Sequence, residues 1–177
     1  EPQYQNEDVQ CEYVKVEALN DGTPQKDIVA ASKRGRSHAQ EAKPRDDHFK
    51  MAHLENGWYI MAVADGAGSA KYSREGSRIA CETVIKHCEE ELAKCQSFED
   101  NINLWHLDQG SVEAGKLISA DIYRIVGNAA LKAHRAINEE AKLQQIPSKA
   151  YATTLLLAIC KKFDFGWFVA SFWVGDG

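Results

Sequence analysis

The sequence predicts an α+β fold, with sheets and helices in separate blocks. Three observations predict it. Strand-like apolar runs come first, at residues 28–32, 48–54 and 58–64. Two long segments with helical periodicity follow, residues 73–95 and 117–145. Two further strand-like runs, residues 152–160 and 167–174, close the chain. Blocks of strands, helices and strands suit segregated layers better than alternating parallel units.

Composition narrows the function classes. The 177 residues fit one domain or part of a larger one. A hydrophobic fraction of 44% supports a real core, and a net charge of -5 argues against a nucleic-acid partner. No apolar run has the length of a membrane span. Five cysteines, an odd number without a dense framework, favour free thiols and a cytoplasmic location. Cys81, Cys88 and Cys95 recur every seven residues. On a helix that is a rise of roughly 10 Å, beyond the roughly 7 Å a disulfide spans. They read as small apolar residues on a buried helix face.

Residues 1–26 are polar and read as an N-terminal extension, with one short strand near Tyr13–Val16 and a turn cluster at Asn20, Asp21, Gly22, Thr23 and Pro24. Residues 27–177 form the domain proper. Ile28–Ser32 is a strand, and a charged loop follows from Lys33 to Arg45. His48–Leu54 alternates, and Asn56-Gly57 is a hairpin signal. Trp58–Ala64 is nearly all apolar, as in a strand buried on both faces. From Ser73, the spacing of Cys81, Val84, Ile85, Cys88 and Leu92 is helical, with Glu89–Glu91 on the solvated side. Gln96–Gly115 reads as a loop containing Trp105. A second helix runs from Leu117 to Gln145 on a stripe of Ile118, Ile122, Ile125, Ala129 and Ala133, and Pro147 stops it. Ala152–Cys160 and Trp167–Val174 are strands with hairpin spacing between them, and Trp58, Trp167 and Trp173 read as core or sheet-face packing.

Acidic residues stand at strand ends. Asp65-Gly66-Ala67-Gly68-Ser69 follows the apolar run ending at Ala64. An aspartate there is aimed into a cleft, and flanking glycines let backbone oxygens approach a ligand. Carboxylates and carbonyls suit hard cations such as magnesium or manganese. The third glycine of a dinucleotide fingerprint would fall at Lys71, and no phosphate-loop lysine follows. Asp46-Asp47 precede one strand and Asp176 ends another. If these strands are neighbours, the carboxylates converge, which is costly without a cation.

In order, Arg34-Gly35-Arg36-Ser37-His38, Asp46-Asp47, Ala64 to Ala70, Glu75-Gly76, Ala152-Thr153-Thr154 and Val174-Gly175-Asp176-Gly177 resemble the type 2C protein serine/threonine phosphatases, in particular a bacterial branch. The resemblance implies a four-layer α-β-β-α sandwich, two antiparallel sheets flanked by helices, of which this chain is the N-terminal portion. It implies two divalent ions, Mg or Mn, and a weaker third. Asp65 would bridge the metals, the Gly66 carbonyl would bind one, Asp47 would hold metal-bound water and Asp176 would face the same cluster. It further implies hydrolysis of phosphoserine and phosphothreonine by metal-activated water, with a phosphoprotein substrate and a paired kinase as partners.

The sequence departs from that pattern at Ala67, where many members carry a histidine, and near Ala42, where many carry a phosphate-binding arginine. His38 or His48 could replace the first; Arg34, Arg36 or Arg45 could supply the second charge. The family's further aspartates lie beyond Gly177. A second reading follows from Ala67 and those absent ligands: a catalytically inactive module of this fold, serving as a binding or regulatory partner. Thr153 and Thr154 read as strand-forming β-branched residues.

Overall fold

The computed structural model of the chain describes residues 9–18, 22, 25–108 and 111–175. The fold is α+β, with two antiparallel sheets and a helical layer. Strands β1 (Val9–Val14) and β2 (Ile28–Lys33) form a two-stranded sheet. After a short helix α1 (Arg36–Gln40) come β3 (His48–His53) and β4 (Tyr59–Ala64). Helices α2 (Ser73–Leu92), α3 (Gln96–Leu107), α4 (Val112–Ile122) and α5 (Asn128–Leu143) follow, then β5 (Leu155–Phe163) and β6 (Gly166–Val174). The larger sheet has the order β3-β4-β5-β6, antiparallel throughout.

Alternation along β4 explains the layering. Ile60, Ala62 and Ala64 point to one face and join Cys81, Val84, Ile85, Cys88 and Leu92 of α2 and Ile125 and Ala129 in the main core. Tyr59 and Met61 point to the other face, where Phe49, Met51 and Ile28 meet them. Period-two alternation makes this division obligatory. Among the described residues the layers therefore run helices, four-stranded sheet, two-stranded sheet. Trp58 is fully buried and stacks on Phe98 at 5.5 Å, while Trp167 packs on Tyr59 at 5.7 Å and Trp173 is exposed.

The helical layer is richer than the periodicity predicted. Residues 96–115, expected as a loop, hold α3 and the start of α4. Only Phe98 and Ile102 of α3 are buried, a stripe too thin to stand out in sequence. A short helix, α1, also forms inside the expected loop 33–45. The predicted single helix over 117–145 is two helices joined by a π-helical turn, Tyr123–Gly127. A π turn loosens the backbone ladder, and α2 supplies partners: His87 Nε2 donates to the Arg124 carbonyl at 3.2 Å, and Cys88 Sγ lies 3.8 Å from the Ile125 carbonyl. The final hairpin is tighter than expected, turning at Asp164-Phe165. Among the described residues no helix is long and apolar enough to cross a membrane. Of the expected turn cluster only Gly22 is described, at φ +82°; Asn20, Asp21, Thr23 and Pro24, like Asp176, lie outside the described residues.

Candidate functional site

Antiparallel order brings alternate strand ends to one rim. His48 pairs with Ala64, Val63 with Leu156 and Leu155 with Val174. The residues just before β3 and β5 therefore share an edge with those just after β4 and β6. Asp47 precedes β3 and Asp65 follows β4, so two carboxylates 18 positions apart in the numbering meet there.

Their meeting has an electrostatic signature. Both residues are solvent-exposed. The Asp47 carboxyl is nonetheless pushed above its ordinary value, first by partial burial, then by a hydrogen bond with Asp65 and by that neighbour's charge. Arg45 pulls in the opposite direction without cancelling the effect.

Asp65 is held by the segment before β5. Thr154 Oγ1 accepts from the Asp65 backbone N–H at 3.0 Å. The Asp65 carbonyl accepts from Thr153 Oγ1 at 2.9 Å and from the Thr154 N–H at 2.8 Å. Gly66 forms an isolated bridge with Thr153, and the Ala67 N–H donates to the Ala152 carbonyl at 2.9 Å. The two threonines, read from sequence as strand formers, thus clamp the backbone of the rim aspartate with their hydroxyls. Gly66 has a packing reason to be glycine. A Cβ there would stand 2.7 Å from the Asp46 carbonyl oxygen and 2.9 Å from Ser73 Cβ.

The profile of the protein phosphatase 2C family matches residues 34–177. The chain belongs to that family. No curated protein and no solved structure matches it. Membership in the phosphatase 2C family supports a phosphatase-type, hydrolytic function.

The other expected site residues distribute around the rim of this phosphatase 2C chain. Asp46 diverges from Asp47 and faces His38, whose Nε2 is 3.8 Å from Asp46 Oδ2. His38 Nδ1 lies 3.0 Å from the Pro44 carbonyl, an acceptor only, so Nδ1 carries a proton. Arg36 is exposed on α1, and Arg34 is half-buried with Nη1 3.5 Å from the Lys43 carbonyl. Arg45 is buried at 3% exposure and donates to the Asp47 carbonyl at 2.5 Å and to Gln10 Oε1 at 3.0 Å. It supports the rim from beneath. His48 points toward the helical layer, where burial and the charges of Arg45, Arg74 and Arg78 lower its pKa to about 4. Asp176 lies outside the described residues. Its neighbour Gly175, at φ +97°, sits so close to Thr154 that a Cβ would stand 2.8 Å from the Thr154 Cγ2.

A phosphatase 2C site calls for divalent cations, and the donors at this rim suit them. They are the carboxylates of Asp47 and Asp65, oxygen ligands of the kind magnesium and manganese take. Burial and the neighbouring Asp65 carboxylate both raise the Asp47 carboxyl, a pairing that a cation would relieve. Among the described residues the acidic set stays a pair, since no group of three His, Cys, Asp or Glu gathers. A cavity of about 410 Å³ opens on the Asp46 side of the segment before β3, lined by Lys43, Asp46, Gly68, Ser69, Lys71 and Arg74 among others. A larger groove of about 740 Å³ runs between α4–α5 and β6. Its lining is mainly apolar and contains no carboxylate.

Proposed function

We propose that this chain carries site residues of a magnesium- or manganese-dependent protein phosphatase acting on phosphoserine and phosphothreonine. The observation that carries the reading is the meeting of Asp47 and Asp65 at the strand rim, where burial and then its neighbour Asp65 push the Asp47 carboxyl above its ordinary value. Asp65, Asp47 and the Gly66 carbonyl would hold the metal, and Asp176 is proposed to join them. Bound there, the metal supplies positive charge that neutralises phosphate and lowers the pKa of a water molecule.

The remaining roles belong to side chains. Thr153 and Thr154 keep Asp65 and Gly66 fixed while substrate exchanges. His38, oriented by Pro44 and facing Asp46, is the proposed proton donor to the departing serine or threonine oxygen. Arg34 and Arg36, which follow β2 on the same side as Asp46, are the proposed phosphate ligands. A phosphoprotein substrate and a paired kinase complete the reading. The cysteines among the described residues are all free, which suits the proposed cytoplasmic location.

Hydrolysis of a phosphoserine peptide by the protein with Mn²⁺ tests the reading. Activity is expected to vanish in Asp65→Asn and in excess chelator. Activity that survives the chelator overturns it.

A further inference from the structure

Beneath the acidic rim, three consecutive backbone carbonyls each accept from a buried side chain. Arg74 Nη1 donates to the Arg45 carbonyl at 2.7 Å, Ser77 Oγ to the Asp46 carbonyl at 2.6 Å and Arg45 Nη1 to the Asp47 carbonyl at 2.5 Å. The Ser77 hydroxyl also lies 2.8 Å from the Arg74 carbonyl, so its single proton is shared. Arg74, Ser77 and Arg45 are 5%, 0% and 3% exposed.

This is an expensive way to hold a connecting segment. Such segments ordinarily run over the surface, where water satisfies their carbonyls. Here two guanidinium groups are desolvated instead, which is tolerated only with strong hydrogen bonds in return. The return is backbone geometry. Gly66 packs closely against this segment and α2, since a Cβ there would stand 2.7 Å from the Asp46 carbonyl oxygen and 2.9 Å from Ser73 Cβ. The chain entering β3, the turn leaving β4 and the first turns of α2 are therefore one packed unit, with Asp47 and Asp65 on its outer surface.

We infer that Arg74 and Ser77 are positioning residues for a divalent cation at Asp47 and Asp65. They fix the backbone that carries Asp47 relative to Asp65 through its carbonyls rather than as ligands of the cation. The inference rests on the metal-site reading above. Neither residue carries a sequence signal for this role, since an arginine and a serine at the start of a helix are ordinarily solvated.

The test is Mn²⁺ titration of the chain, following free Mn²⁺ by its paramagnetic resonance, with a thermal melt of each variant. Ser77→Ala and Arg74→Met are expected to raise the Mn²⁺ dissociation constant about tenfold or more, as loss of support behind a ligand does. Arg74→Lys keeps a cationic donor for the Arg45 carbonyl and is expected to recover part of the loss. Should Arg74→Met fail to fold, Ser77→Ala, which deletes a single oxygen, decides. Variants that melt lower but bind Mn²⁺ as tightly as the unaltered chain show a merely structural role and overturn the inference alone. An unaltered chain that binds no Mn²⁺ overturns the metal-site reading and this inference with it.

Discussion

The hydroxyl of Thr154 accepts a hydrogen bond from the backbone N–H of Asp65 at 3.0 Å, across 89 residues of sequence. With the two bonds on the Asp65 carbonyl it makes the turn after β4 an extension of the sheet. Thr154→Val keeps the shape and removes the acceptor. The bond is open to solvent, so the cost is expected near the low end for a lost hydrogen bond, about 1 kcal/mol. Urea unfolding measures it. Mn²⁺ affinity is expected to fall in the same variant, because the ligand's backbone is no longer held from both sides.

Gly76 reverses the usual rule for glycine in a helix. In an exposed helix interior, Gly→Ala stabilises by about 1 kcal/mol. At Gly76 a Cβ would stand 2.0 Å from the Tyr151 carbonyl oxygen, and a backbone atom cannot rotate away. The turn before β5 docks here, through the Tyr72–Tyr151 stack at 5.4 Å and the Tyr72 N–H to the Ala150 carbonyl at 2.8 Å. Gly76→Ala is expected to destabilise by about 2 kcal/mol or more, in the range of overpacked cores. An unchanged or raised denaturation midpoint would show that the two segments separate freely.

Asp47→Asn separates stability from function. In the metal-free chain the Asp47 carboxyl binds its proton more tightly folded than unfolded, because of burial and Asp65. The folded state then holds more protons than the unfolded one above the ordinary carboxylate range, so this group's contribution falls as pH rises through that window. Removing the charge is expected to raise the melting temperature at pH 7 without metal and to leave it nearly unchanged at pH 3. Mn²⁺ binding is expected to weaken sharply in the same variant. A lower melting temperature at pH 7 would mean that the two carboxylates do not oppose each other.

Much of this architecture was legible in sequence because the responsible patterns are local. The alternation of His48–Leu54, the apolar run ending at Ala64 and the stripe Cys81, Val84, Ile85, Cys88 and Leu92 each announce an element within a few turns of chain. Phe49, Met51, Tyr59, Ile60, Ala62, Ala64 and the α2 stripe are buried, while Val63, expected in a strand buried on both faces, is 49% exposed. Convergence of Asp47 and Asp65 follows once the strands around them are neighbours. The support of the site was not legible. Thr153 and Thr154 look like any strand start until Asp65 is beside them, and Arg45 and Arg74 look like surface charges until α2 packs against the segment before β3. Helix α3 escaped because it buries only Phe98 and Ile102.

Buried histidines give the opposite pH dependence from Asp47. His87 is 4% exposed, with Nε2–H on the Arg124 carbonyl and Nδ1 2.8 Å from Lys132 Nζ. Burial is the main cause that lowers its pKa; the charges of Lys132 and Arg124 add to it, while the Arg124 carbonyl and Glu90 oppose it. The unfolded chain takes up this proton first, so the contribution is complete above the ordinary imidazole value of about 6.5 and is lost as pH falls below it. His48 acts in the same sense down to about 4. The urea midpoint is expected to fall from pH 7 to pH 5, less steeply in His87→Gln. Equal slopes would show that the imidazole is protonated in place.

The cysteines offer a direct check on the core. Cys81 and Cys88 are fully buried on α2, and Cys95 is 2% exposed just beyond it. Burial pushes all three thiols up to about 12. A thiol needs both access and its thiolate form to react, and these three have neither at pH 8. Cys160 is half-buried and also raised by burial, while Cys11 is exposed on the outer face of the β1–β2 sheet. Ellman's reagent on the native chain is therefore expected to titrate Cys11 within minutes and Cys160 slowly. Cys81, Cys88 and Cys95 should react only after guanidinium is added, bringing the total to five. Rapid reaction of any of these three in the native state would mean that α2 does not pack against β3 and β4 as described.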